Sequence, residues 1–271
     1  MSTWIFLRGL TRGSRHWGHF PDTVRAALPD AIILPRDLPG NGTLNRSTSP
    51  TRVEDMVEHL RAGLLADGIR PPYRVLAMSL GAMVTAAWAH SHPEELECGV
   101  LINTSMRPFS PFYQRLRPEN YMLILRLTLF GGSNEQWESS ILQLTSAMYG
   151  NSPQQVEEWT TWRNQNPVSR SNALRQLWAA SRYTAPKEKP PVRLLVLASV
   201  GDGLVDTNCS RRLAHCWETS YAEHPTAGHD LPLDDGDWVA RQIADWISKE
   251  NILARPKKRN EIGRASCRER V

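Results

Sequence analysis

The chain has 271 residues, of which 41% are hydrophobic and 22% charged. These are the proportions of an ordinary soluble protein with room for one large or two modest domains. Its net charge of +4 belongs to the end: from Arg255 onward seven Lys/Arg stand against two Asp/Glu, leaving residues 1–254 near −1. The body therefore gives no basic footprint for nucleic acid. No apolar run reaches the roughly 18–20 residues that span a bilayer, and no secretory leader precedes the first strand-like run. The expectation is a cytoplasmic protein with neither a nucleic-acid nor a membrane partner.

Short apolar runs alternate with helical patterns, as in a mostly parallel sheet covered by helices on both faces. Trp4–Leu7 reads as the first strand, Phe20–Leu28 as a helix and Ala31–Leu34 as the second strand. Thr51-Arg52-Val53-Glu54 has the form of a capping box, and Val53, Met56, Val57, Leu60 and Leu64 mark one helical stripe after it. Tyr73–Met78 is the next strand, and Leu80–His90 a helix that ends near His92-Pro93. Gly99–Ile102 and Val192–Ala198 are further strands, Thr207–His215 a helix, Trp217–Ala222 the last strand and Asp234–Lys249 the last helix.

Residues 106–190 interrupt this alternation. They hold no convincing strand, carry apolar helical stretches at Tyr121–Phe130 and Ile141–Met148, and contain Trp137, Trp159, Trp162 and Trp178. A helical insertion of this size between two core strands reads as a lid. The chain thus divides into core residues 1–105, a lid over 106–190, core residues 191–254 and a disordered tail, 255–271. The end of that tail reads as a translated sequencing adapter, so it is set aside as non-native; a native basic tail is the alternative. Cys98, Cys209, Cys216 and Cys267 form no Cys-x-x-Cys pair, so buried reduced thiols are expected rather than a zinc site.

The chemistry gathers at the strand ends. Strand Tyr73–Met78 runs straight into Ser79, and a helix-forming sequence follows at once. This is the pattern of a nucleophile elbow, a tight strand-to-helix turn that exposes a serine hydroxyl. Serine needs a base, and the base needs an orienting acid. His229, in Ala227-Gly228-His229-Asp230, follows the last strand; Asp202, in Gly201-Asp202-Gly203-Leu204-Val205, follows the strand before it. Asp206 is the rival acid. His16 and His19 come too early, His90 and His92 end the elbow helix, and His215 and His224 lack a comparable glycine loop. Two backbone amides would complete the site as oxyanion donors: Leu80, after the serine, and Leu10, in the glycine turn after the first strand. Each such donor can contribute about 3–4 kcal/mol in a transition state. Taken singly, each residue has a structural explanation as a turn or a helix cap; their order and placement together argue for a triad. No phosphate loop or metal-ligand cluster is present, so no cofactor or metal is expected.

These motifs resemble the α/β-hydrolase superfamily over about residues 3–250. Leu7-Arg8-Gly9-Leu10 with Trp17, Asp37-Leu38-Pro39-Gly40-Asn41-Gly42, Ala77-Met78-Ser79-Leu80-Gly81, Gly201–Val205 and Gly228-His229 carry the likeness. The chain looks closest to the small, lidded serine esterases that include pimeloyl-carrier-protein methyl ester carboxylesterases. That resemblance favours Asp202 over Asp206. It implies an α/β-hydrolase fold with a helical lid and a serine hydrolase acting on a small or medium carboxylic ester. The partner would be a small acyl substrate, free or carrier-linked, and the chain a monomer or weak homodimer. A thioesterase, a lyase or carbon–carbon hydrolase with the same triad, and a ligand-binding protein without turnover are the alternatives. Two positions depart from the family pattern: Arg8 stands where histidine is common, and Ala77 where the first elbow glycine is usual. Of the arginines in 106–190, most are expected on solvated helix faces, with one or two free to hold an anionic acyl or carrier group. The four tryptophans there are expected to pack rather than to contact substrate.

Overall fold

A computed structural model describes residues 2–129 and 131–254. Its strands are β1 (Ser2–Leu7), β2 (Ala31–Arg36), β3 (Tyr73–Met78), β4 (Leu96–Ile102), β5 (Arg193–Ser199) and β6 (Ser220–His224). They form one parallel sheet in the order β2-β1-β3-β4-β5-β6. The core helices are α1 (Phe20–Ala27), α2 (Val53–Ala66), α3 (Leu80–Ser91), α9 (Asn208–Cys216), α10 (Leu231–Asp234) and α11 (Gly236–Ala254). Between β4 and β5 lie α4 (Phe112–Arg115), α5 (Tyr121–Leu129), α6 (Asn134–Thr145), α7 (Pro153–Gln165) and α8 (Arg170–Arg182).

The strands read as nearly continuous apolar runs because both faces of a parallel sheet are covered. Alternate residues of β1 serve different cores: Ile5 and Leu7 join the cluster under α2 and α3, whereas Trp4 and Phe6 join that under α1 and α11. Helix α3 is buried on every side from Leu80 to Ala89. Its many small residues let it lie close against the sheet. A side chain at Gly81 would stand 2.6 Å from the Leu7 carbonyl oxygen and 2.7 Å from that of Arg8.

The chain leaves β1 toward β2 on one side and returns to β3 on the other. The carboxyl ends of β1 and β3 therefore flank the point where strand order reverses, where open α/β sheets take their ligands. Pairing Leu7 with Ala77, and Met78 with Ile102, aligns these ends so that Gly9, Ser79 and Asn103 emerge together.

Several element boundaries differ from the sequence-based expectation. The first residue before α2 is Arg52, which makes no side-chain cap, and Glu54 falls one position too early to close a box. The last strand starts three residues later than expected because Trp217 ends α9, its amide donating to the Leu213 carbonyl. Cys98 and Cys209 are buried, and burial pushes their thiols up to about 12 and about 11; Cys216, also expected inside, is exposed. The tail, 255–271, lies outside the described residues. Among the described residues no helix is long and apolar enough to cross a membrane.

Candidate active site

Ser79 sits at the junction of β3 and α3 with φ 53° and ψ −118°. This backbone region is costly for a residue with a side chain and persists only where surroundings enforce it. Here the Ser79 amide donates to the Ile102 carbonyl at 3.0 Å, and the Ser79 carbonyl accepts from the Thr104 hydroxyl at 3.1 Å. The neighbouring strand thus holds the turn from both sides. Gly9 approaches closely enough that a side chain there would stand 3.0 Å from the Ser79 Cβ.

Asp202 and His229 are brought together beyond the ends of β5 and β6. The His229 Nδ1–H donates to Asp202 Oδ2 at 2.7 Å, and both residues are buried. Asp202 Oδ1 accepts from the amides of Leu204 and Val205, at 2.8 and 2.9 Å. The carboxylate is therefore fixed by its own loop before it orients the imidazole. Asp206, the rival acid, instead accepts from the Asn208 amide at the start of α9.

Ser79, His229, Leu10 and Leu80 all line one cavity of about 540 Å³. Its walls are mainly apolar, with Met83, Trp137, Ile141 and Leu177 among them. The described helices between β4 and β5 supply much of this wall.

Arg8, the first departure from the family pattern, pairs with Asp230. Arg8 Nη1 donates to Asp230 Oδ1 at 3.0 Å and Nη2 to Oδ2, with both side chains 3% exposed. The guanidinium also lies 4.7 Å from the Trp17 ring centre. The residue before Gly9 is thus fastened to the residue after His229, and the two loops that bracket Ser79 are held as a unit. Ala77, the second departure, is fully buried in β3.

Other contributors escaped the sequence reading. Asn103 Nδ2 donates to the His229 carbonyl at 2.8 Å, and its Oδ1 accepts from the Ser199 amide at 2.8 Å. It joins the ends of β4 and β5 to the histidine loop. Asp234 accepts from the Gly228 amide at 2.7 Å and from the Ala147 amide at 2.9 Å, and the Asp230 amide donates to the Thr145 carbonyl. The C-terminal end of α6 is thereby joined to the histidine loop. On the opposite side, Arg12 pairs with Glu138 of α6, which also accepts from Arg163 of α7. The Thr11 amide donates to Gln176 of α8 at 2.8 Å. Only the position of Asn103, directly after a strand, offered a signal in sequence.

The arginines of the insertion divide between internal bonds and solvent. Arg115 donates to the Ala180 and Ser181 carbonyls, Arg175 to that of Ser49, and Arg163 to Asn134. Arg126 and Arg182 are exposed. Trp137 and Trp159 are buried, but Trp178 is 54% exposed and lines the cavity, contrary to a purely packing role.

An all-parallel sheet with a strained serine at the β3–α3 turn, and an Asp–His pair beyond the ends of the last two strands, defines a class of α/β proteins. The chain belongs to the alpha/beta hydrolase family, whose pattern it matches over residues 4–242. No curated protein matches it in sequence. Among solved structures it is similar to a thermophilic esterase from Thermogutta terrifontis, with 17% identity, TM-score 0.71 and coverage of 92% of this chain and 90% of the other. It is also similar to the enol-lactonase from Burkholderia xenovorans LB400, with 17% identity, TM-score 0.74 and 92% of each chain covered. A putative non-heme bromoperoxidase, BpoC, from Mycobacterium tuberculosis H37Rv gives 19% identity, TM-score 0.74 and 92% of each chain. At these identities the likeness is one of fold.

Proposed function

We propose that the protein is a serine hydrolase that cleaves a small or medium carboxylic ester through an acyl-enzyme. The observation that carries this reading is the placement of Ser79 and the Asp202-oriented His229 on one apolar cavity. In the proposed reaction His229 Nε2 takes the proton as Ser79 Oγ attacks the ester carbonyl. The amides of Leu10 and Leu80 receive the oxyanion. Collapse of the tetrahedral intermediate expels the alcohol, which takes the proton from His229. A water, activated by the same histidine, then releases the acid and restores Ser79.

The apolar wall favours an uncharged acyl chain over a polar one, and the volume suits a small or medium acyl group. Helices α4–α8 act in this reading as the lid that sets chain length. Esterase and lactonase names among the structural relatives agree with ester chemistry.

The test is a fluorophosphonate probe with mapping of the adduct, alongside esters and thioesters of graded acyl length. The expected result is a single adduct on Ser79, absent in Ser79→Ala, with turnover lost in the same variant. Folded protein that resists labelling at Ser79 would sink the proposal. Tight acyl-ligand binding without turnover, indifferent to Ser79→Ala, would mark a binding protein instead.

A further inference from the structure

We propose that the rim of the cavity docks on an anionic lipid surface. Helix α5, Tyr-Met-Leu-Ile-Leu-Arg-Leu-Thr-Leu, is apolar almost all round. Such a helix is normally enclosed by protein or lipid. Here Tyr121, Ile124 and Leu127 face the cavity, while Met122 is 75% exposed and Leu125 and Leu129 are each 47% exposed. Those three recur at helical spacing and form the outer stripe. Phe112 at 73%, Trp178 at 54% and Leu174 at 40% exposure add to it, and all three also line the cavity. The elements that bear them are joined: Arg170 of α8 donates to the Leu129 carbonyl, and Arg115 of α4 to the Ala180 and Ser181 carbonyls. The result is one apolar face around the opening rather than scattered side chains, the kind of patch that marks an interaction site.

Charge decides between occupants. Segment 106–131 carries four arginines against Glu119, and 170–189 carries five Lys/Arg against Glu188, so together they net +7. The remainder of residues 1–254 nets −8. Arg107, Arg126, Arg170 and Arg182 of these segments are exposed, and Arg182 lies over the Trp178 ring at 5.2 Å. A second copy of this chain docked rim to rim, as in a two-fold dimer, would bring like charge to the rim. An aromatic and aliphatic face flanked by Arg126, Arg170 and Arg182 complements anionic headgroups above acyl chains. The expectation of no membrane partner rested on spanning length; a rim that lies on a surface needs no span.

The full chain should be sedimented with vesicles of phosphatidylcholine alone and of phosphatidylcholine mixed with phosphatidylglycerol. We expect binding to the anionic vesicles roughly tenfold tighter than to the neutral ones, and weakened by salt. Met122→Ser/Leu125→Ser/Leu129→Ser and Arg126→Glu/Arg182→Glu should each weaken it by a similar factor. Both should retain turnover of a water-soluble short ester, which shows that they fold. Residues 255–271 are common to every variant, so the decrement reads the rim. Ser79→Ala should bind vesicles as the parent does, which separates this proposal from the catalytic one. Equal affinity for both vesicle types, no binding, or binding indifferent to the rim variants would overturn it. Rim-dependent capture of an acidic protein without vesicle binding would also overturn it, in favour of a protein partner.

Discussion

Removing the Arg8 guanidinium leaves Asp230 as a buried, unpaired carboxylate beside the histidine loop. Breaking a buried pair from one side costs about 3–5 kcal/mol, whereas replacing both partners with apolar groups costs far less. Arg8→Leu and Asp230→Leu should therefore each lower stability severely, and the double variant should recover part of it. A double-mutant cycle from denaturant unfolding measures this; simple additivity would refute the coupling. Asp202→Asn tests a different property. The asparagine can still accept from its loop amides, but it no longer imposes the tautomer and orientation of His229. We expect kcat to fall about 10³–10⁴-fold with the fold intact, read by steady-state kinetics beside circular dichroism. The two cases also show why residues differ in legibility. Asp202 announced itself by following a strand within a glycine-flanked loop. The Arg8–Asp230 pair spans 222 residues of sequence, and no local pattern links its halves.

At the scale of elements, the turn between β3 and α3 depends on how near the helix comes to the end of β1. Gly81 is the contact point, since a Cβ there would meet two carbonyl oxygens at under 3.0 Å. Backbone oxygens cannot rotate away as a flexible side chain can. Gly81→Ala should cost about 1–3 kcal/mol and displace α3 away from Arg8 and Gly9. Thermal unfolding and fluorophosphonate labelling rate should fall together; a lower Tm with unchanged labelling would mean that Ser79 is insulated from α3. The strands and α3 were readable because a buried parallel sheet demands apolar runs and a close-packed helix demands small residues. Ends were harder. Trp217 is as apolar as a strand residue, yet it finishes α9 and donates through its indole to the Pro186 carbonyl. Between β4 and β5 the apolar stretches marked α5 and the second half of α6, whereas α4, α7 and α8 carried no such signal, and the joins to the core rest on side chains such as Glu138 and Gln176 that pattern alone does not distinguish from surface residues.

Across the whole molecule, insertion and core meet in a buried charged cluster. His16 lies between the Trp159 and Trp162 rings and close to the Arg12 guanidinium. Burial, then the Arg12 charge, holds its imidazole well below the usual histidine range. The folded protein thus keeps His16 neutral, while the unfolded chain protonates it near pH 6.5. Its contribution to stability is present above that value and is lost as pH falls below it toward the folded-state value. Thermal midpoints should drop between pH 7.5 and pH 5.5, and His16→Gln should flatten that slope. An unchanged slope in the variant would assign the pH dependence to other groups.

The seam between α6 and the histidine loop bears on redesign. Thr145 and Ala147 share hydrogen bonds with Asp230 and Asp234, so the helical insertion is no cassette that can be exchanged to alter selectivity. A chimera that imports another member's helices would discard the brace behind His229 along with the old pocket. Grafts should retain 145–148 unchanged, together with Gln176 of α8 and Trp159 of α7, which meet the core on the opposite side, and Arg163 of α7, which pairs with Glu138 there.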